Sequence, residues 1–395
     1  MHATTTLNRR WVPTERLATV SFVALLTFVA ALQISIAAAS LTLAATLTAW
    51  LAWTLATTRR FEAPAIFWPL LAYGGWTLVS AVFSANPAAS LEDCKQLVLL
   101  LIVPAVYTLA RGSRSRAVLD VIVTVGAITA VVGIFQYGIL HYDNLGRRPQ
   151  GTLTHYMTYS GVLMLVIGAA AARLIFERQH RLWTALVMPA LLVALALTFT
   201  RSAWVGAFVA LAVLALLKDR RLLFLAPVLV AAAVAVAPDR LTSRAFSMFD
   251  LNDPTSRDRV AMLRTGAHMI ADHPITGVGP DQVKAFYVQY RDPLAVQPIN
   301  FHLHNVPVQI AAERGLPALG LWIWFVVTAG LQCWRLFQRD DARSLAAAAL
   351  AALVAMLAAG LFEYNFGDSE FLMLFLVLLT LPFAAVRGDA AETVP

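Results

Sequence analysis

Charge is scarce in this sequence, and so is cysteine. Acidic and basic residues make up 13% of the 395 positions, about half the share found in soluble domains. With 59% hydrophobic residues and a mean hydropathy of +0.69, a soluble globular chain is excluded. The two cysteines, Cys94 and Cys333, lie at or near the ends of apolar runs without metal-like spacing, so neither a disulfide framework nor a zinc site is expected. No period of 20–50 residues recurs, which excludes a solenoid. The apolar runs do not alternate with polar residues, which excludes a membrane β-barrel. Acidic residues are missing from the middles of those runs. A proton-coupled transporter would place carboxylates there, typically on broken helices.

What is present is a series of apolar runs near the length of about 20 residues that a spanning helix needs. Twelve are expected: roughly 17–36, 38–56, 64–83, 96–110, 118–140, 157–175, 182–199, 202–217, 222–237, 307–334, 344–361 and 370–386. The first follows basic residues and is followed by Ala37-Ala38-Ala39, as a signal peptide would be. Its length exceeds a typical signal core, so it reads as an uncleaved span. The fold class is therefore an all-α polytopic membrane protein forming a single domain. If the N-terminus is cytoplasmic, the segments on that side hold 18 of the 30 Lys and Arg, and the short loops opposite hold four. The positive-inside rule then puts both termini in the cytoplasm. The net charge of +7 is mostly this basic collar against anionic lipid, and no nucleic-acid partner is expected.

One long polar segment, residues 238–305, interrupts the apolar runs between the ninth and tenth and falls on the outer side. Long loops in compact proteins are usually functional or disordered, and this one carries helical patterning. Val260, Leu263, Ala267 and Ile270 share one helical face that ends before Pro274. Ile275-Thr276-Gly277-Val278-Gly279-Pro280 reads as a turn, with Pro280 in the first turn of a second helix bearing Val283, Phe286, Tyr287 and Tyr290 on one face. Both helices are expected on the outer membrane surface, followed by an extended stretch through Pro298 to His302 and His304.

Arg201 lies between two apolar runs with almost no loop around it. A guanidinium there either snorkels to lipid headgroups or offers its planar donor fork to phosphate oxygens. Arg259 and Arg264 flank the apolar stripe of the first loop helix and could neutralise an anion. Arg257 beside them reads as a solvated edge, and Arg147 and Arg148 face the same outer side with a weaker anion role. His302 and His304 would point the same way on an extended strand. Histidine suits proton transfer near neutral pH, and His304 is the favoured base because Asn305 and the following span would fix it; His302 stands second. A two-histidine metal site would need another ligand, with His273 the nearest histidine to supply it; none is expected.

Three stretches together resemble the bacterial O-antigen ligase and polymerase superfamily of membrane glycosyltransferases. They are Thr200-Arg201-Ser202 after a span; Arg259 through Pro274-Ile275-Thr276-Gly277-Val278-Gly279; and His304-Asn305 followed by Gln309, Glu313-Arg314-Gly315-Leu316 and Gly320. Leu263 departs from the pattern, where the family often has tryptophan. The resemblance implies a GT-C-like fold in the inner membrane of a Gram-negative bacterium, with the active site at the periplasmic face. It implies an undecaprenyl-diphosphate-linked O-antigen donor, a lipid A-core acceptor, and complete lipopolysaccharide as product. It also implies inverting transfer without metal or cofactor: His304 as general base, Arg201 with Arg259 or Arg264 on the diphosphate, and Arg147, Arg148 and Asn305 as further contacts. The single long loop and the chain length favour a ligase over a polymerase or a protein O-oligosaccharyltransferase. A lipid-linked polysaccharide transporter is the alternative from another class, and a monomer is expected.

Overall fold

The computed structural model describes residues 11–57, 60–178, 181–225, 227–228, 231–232, 235, 237–250 and 252–388. Among these residues the fold is all-helical, with one isolated β-bridge between Asn144 and Arg147. The helices are α1 (Trp11–Ala31), α2 (Ile36–Ala56), α3 (Phe67–Val82), α4 (Pro87–Asp93), α5 (Ile102–Leu109), α6 (Arg114–Gly138), α7 (Tyr156–Phe176) and α8 (Arg181–Leu197). They continue as α9 (Arg201–Lys218), α10 (Asp239–Phe246), α11 (Pro254–Asp272), α12 (Val283–Tyr290), α13 (Val306–Phe337), α14 (Arg343–Gly360) and α15 (Ser369–Ala385).

Six of these, α2, α6, α7, α9, α13 and α14, are long and apolar enough to cross a membrane, and α3, α8 and α15 are apolar but shorter. Among the described residues these are nine apolar helices against the twelve spans expected from hydropathy. The run at 96–110 is not one helix: Cys94–Leu101 is a 3₁₀ segment, and α5 starts only at Ile102. Pro104 sits in the first turn of α5, the position where a missing N–H costs least. The run at 222–237 opens in a 3₁₀ turn, Arg220–Leu225, and part of its remainder lies outside the described residues.

Hydroxyl side chains inside the apolar helices satisfy themselves locally. Thr46 donates to the Thr42 carbonyl at 2.7 Å and Thr380 to that of Leu376 at 2.7 Å, the back-bonding that lets polar residues enter a helix interior. The core is built on α7, which is nearly all buried, packed against α9, α14 and α15. Small residues permit the approach. A Cβ on Gly206 of α9 would collide with Met164 of α7 and come within 2.9 Å of the Ala355 carbonyl of α14. The alanine-rich sequence of α14 serves the same purpose, with Ala346–Ala349 all buried.

The helix that follows the polar segment is broken, contrary to the expectation of uninterrupted spans. Gly315 takes φ +80, ψ 171 inside α13, and Glu313 and Arg314 beside it are buried. The break frees backbone groups that must find partners, and the Pro274–Gly279 turn supplies most of them. Val278 and Gly279 N–H donate to the carbonyls of Ala312 and Glu313, both at 2.9 Å, and Leu316 N–H donates to Pro274 at 2.8 Å. Trp76 of α3 donates its indole N–H to the Arg314 carbonyl at 2.9 Å, and Ser80 donates to Thr276 O at 2.6 Å. Arg314 pairs with Glu313 and with Asp93 of α4. The glycines of this turn are thus required by contact with another backbone: a Cβ on Gly277 would overlap Glu313, and one on Gly315 would overlap the Ile275 carbonyl. Gly315→Ala should cost at least about 1–3 kcal/mol from the left-handed conformation alone, read as a lower thermal unfolding midpoint in detergent. An unchanged midpoint would mean that the turn and the break are not locked together.

The polar segment packs onto this frame as α10, α11 and α12. Asp253 caps α11 by accepting from Thr255 and Ser256 N–H at 3.0 and 3.2 Å, with Pro254 in the first turn. Pro280 falls in the turn before α12 and not in its first turn. The apolar stripe on α11 also differs from expectation. Asp258, Ala261, Met262, Thr265, Gly266 and Met269 are its buried face, whereas Val260 and Leu263 are 42% and 40% exposed. The helix has two partly apolar faces, and the one with the smaller side chains packs against Leu303, Val308 and the Val283 and Tyr287 of α12.

Candidate active site

No strand carries the two histidines. Residues 291–305 run through turns and bends, held by buried Asp258, which accepts from Val296 and Gln297 N–H at 2.9 and 3.1 Å, and by Gln309, whose side-chain carbonyl accepts from Leu303 N–H at 2.6 Å. His304 takes φ +50, an uncommon region for a residue with a Cβ. That strain ends at once in the cap of α13: Asn305 accepts from Val308 N–H at 3.0 Å and donates to Leu361 O at 3.0 Å. Asn305 is therefore consumed by fixing the loop to the helix and to the end of α14, and it does not contact the cavity described below.

The kinked backbone brings the two imidazoles edge to face at 4.1 Å and presents them to Glu363, in the short loop between α14 and α15. His304 Nδ1 lies 2.8 Å from Glu363 Oε1, and His302 Nδ1 lies 3.9 Å from the same atom. Arg259 completes the group, with Nη2 3.4 Å from Glu363 Oε2 and Nη1 3.4 Å from the His304 carbonyl. Burial alone would raise the Glu363 carboxyl, but His304, Arg259 and His302 hold it well below the ordinary carboxylate value. An ionised carboxylate only accepts, so Nδ1 of His304 carries a proton and Nε2 is left as the acceptor. Burial, with the charge of His304, pushes His302 down to about 4, so His302 is neutral at neutral pH.

His304 and Arg259 face a cavity of about 590 Å3 whose lining also includes Arg148, Thr200, Arg201, Ser202 and Arg244. Arg201 opens α9 directly after Thr200, so the helix N-terminus adds its partial positive charge to the guanidinium. Its Nη1 donates to Ser247 O and Oγ at 2.9 and 3.0 Å, and its Nη2 lies 3.3 Å from the Asp253 carboxylate that caps α11. Asp253 therefore ties the polar segment to α9. Arg148 stacks on Tyr156 at 4.3 Å. Burial, and then the charges of Arg201 and Arg148, bring Arg244 down to about 10, and its Nε is buried without a partner. Three guanidinium groups that raise one another's energy form a site that an anion would relieve. Apart from Thr255 and Ser256 the rest of the lining is apolar and partly open, with Phe249, Leu361 and Phe362 exposed at 83%, 54% and 45%.

Four of the residues singled out from the sequence, Arg148, Arg201, Arg259 and His304, thus line one cavity, and His302 lies behind His304. Arg264 does not reach it; its side chain is 53% exposed and sits 3.8 Å from Asp292. Arg147 stacks on Tyr142 at 4.2 Å, away from the lining. Glu363, Arg244 and Asp253 were not among the sequence candidates. For Glu363 a signal was available, since it is an acidic residue in an eight-residue connection between two apolar runs, on the side where the sequence reading also puts His304.

His302, His304 and Glu363 offer ligand atoms within 4.8 Å of one another, and three protein ligands are the number of an open catalytic metal site. The Arg259 guanidinium already neutralises their one carboxylate, so a dication would sit beside a fixed positive charge; the donor set fits a protonated imidazole better than a divalent ion. Residues 185–323 match the family model described as O-antigen ligase. The matched stretch includes Arg201, Arg244, Arg259 and both histidines and ends before Glu363. No curated protein matches the chain.

Proposed function

We propose that this chain, which carries the O-antigen ligase family's domain over residues 185–323, transfers O-antigen polysaccharide from undecaprenyl diphosphate to a sugar hydroxyl of lipid A-core. One observation carries the reading: a cavity with an exposed apolar rim and a floor of Arg148, Arg201, Arg244 and Arg259 opens beside His304. That combination suits a lipid tail whose diphosphate must be neutralised as it leaves. Loss of the glycosyl group puts negative charge on the departing phosphate, and fixed guanidinium donors stabilise that charge without reorganising. His304 Nε2 takes the proton from the acceptor hydroxyl as its oxygen attacks the anomeric carbon. Glu363 orients the ring and balances the imidazolium that forms. Direct displacement gives inversion at that carbon, and no step draws on a metal or another cofactor.

The same reading sets the topology. The starts of α7, α9 and α13 and the ends of α8 and α14 meet at one end of the bundle. That end is periplasmic if the basic collar is cytoplasmic, which supports an inner-membrane location with 238–305 outside and both termini inside. A monomer suffices, because one chain supplies every group named.

The test is reconstitution of the purified protein with lipid-linked polysaccharide and lipid A-core. The expected product is core carrying one polysaccharide, with turnover retained in excess chelator. Polysaccharide that lengthens on its carrier would make the protein a polymerase, a glycosylated polypeptide would make it a protein glycosyltransferase, and lipid-linked sugar that crosses the bilayer without a new bond would make it a transporter. Arg264→Ala is expected to change turnover by no more than about twofold, as exposed charge substitutions ordinarily do; a loss comparable with that of a cavity arginine would restore it as a phosphate ligand.

A further inference from the structure

Beside Glu363 lies a second cavity, of about 260 Å3. It is smaller than the roughly 300–1,000 Å3 of pockets for drug-sized ligands. Its walls come from the start of α7, the histidine loop and the α14–α15 connection. Met157 lines both cavities, so the two adjoin, with the His302–His304–Glu363 group between them. The lining differs in kind from that of the first: it contains no arginine and no lysine, and its polar side chains are His155, Thr158, His302, Glu363, Tyr364, Asn365 and Asp368. Thr158 donates to Asp368 Oδ2 at 2.5 Å, and Phe371 N–H donates to Oδ1 at 3.0 Å. The pair is thereby fixed, with carboxylate lone pairs to spare.

We infer that this second cavity is the acceptor subsite, that it holds a single terminal sugar ring, and that Asp368 and Thr158 select an uncharged, hydroxyl-rich ring over an acidic one. The inference rests on the transfer reaction proposed above. In-line displacement needs the acceptor oxygen on the side opposite the leaving diphosphate. The arginines fix the diphosphate side, and the cavity beside Glu363 is the space that remains for the acceptor. The volume admits about one ring. With no arginine or lysine in the lining, Asp368 suits sugar hydroxyls as donors and repels a sugar carboxylate or phosphate.

The experiment compares the full-length wild type, Asp368→Asn and Thr158→Val in vesicles with lipid-linked polysaccharide, varying two acceptors: core ending in a neutral sugar and core ending in a uronic acid. The wild type is expected to prefer the neutral acceptor at least about tenfold in kcat/KM. Loss of one charged hydrogen bond, worth about 1.5–3 kcal/mol, should raise the neutral acceptor's KM about 10- to 100-fold in Asp368→Asn, with donor KM unchanged and discrimination against the acidic acceptor reduced. Thr158→Val leaves the cap of α15 intact and should raise the same KM by a smaller factor. Acceptor KM unchanged in both variants, or donor KM raised in step with it, overturns the subsite. Equal use of the two acceptors by the wild type, which needs no variant to fold, overturns the selectivity. Absence of core-linked product from the wild type is failure of the underlying reading instead; binding of neutral-ended core to the detergent-solubilised protein, weakened in Asp368→Asn, then reads the subsite alone, and undiminished binding overturns it.

Discussion

Replacing His304 with alanine should lower turnover by about 10²- to 10⁴-fold, the usual effect of removing a general base. Donor binding should be nearly unchanged, because the diphosphate is held by guanidinium groups and not by the imidazole. Glu363 Oε1 lies 2.8 Å from His304 Nδ1, so the carboxylate orients the base and balances the charge the ring gains on taking a proton. Glu363→Gln should therefore lose turnover. Its turnover should still exceed that of His304→Ala, since the glutamine side chain can accept from Nδ1 and keep the ring oriented. His302 offers no substitute: its Nδ1 is 3.9 Å from Glu363, and burial depresses its basicity to about 4. His304→Ala at wild-type rate in the purified protein would remove the base role altogether.

The groups in this part of the site differ sharply in how visible they were in the sequence. His304 could be read because a histidine followed by a capping residue and an apolar run has a local meaning, and Arg201 because an arginine squeezed between two apolar runs has one too. Glu363 could not be placed in the same way. It acts on a residue 59 positions away, through a contact set by how α14 returns to the start of α13, and no periodicity encodes that. The choice between Arg259 and Arg264 was equally hidden. Both flank the apolar stripe of α11, and which one faces the cavity depends on the side of α11 that packs. Hydropathy located the apolar runs but did not reveal the break at Gly315, because Glu313 and Arg314 are only two charges in a long apolar stretch. The glycines flanking the break, at 277, 279 and 315, were visible as a motif; what they do became clear from the carbonyls and N–H groups that the turn and the broken helix exchange.

The two arginines should separate by the way they fail. Removal of one preorganised donor from a developing oxyanion typically costs about 10²- to 10³-fold in kcat, and that loss is expected for Arg201→Ala and Arg259→Ala alike. Arg259 also touches the proton-transfer pair, with Nη2 3.4 Å from Glu363. Its Nη1 lies 3.4 Å from the His304 carbonyl as well, so its removal loosens both the base and the carboxylate that orients it, and kcat should fall further in Arg259→Ala than in Arg201→Ala. Arg201 contacts Ser247 and Asp253 rather than the histidine pair, so its variant should lose rate and donor binding together. Lysine at either position restores charge without the planar fork and should recover only part of the loss. If both alanine variants keep full donor affinity and rate, the cavity floor is not where the diphosphate sits. If they lose rate and donor affinity equally, Arg259 acts only on the phosphate, and its contact with Glu363 has no part in setting the base.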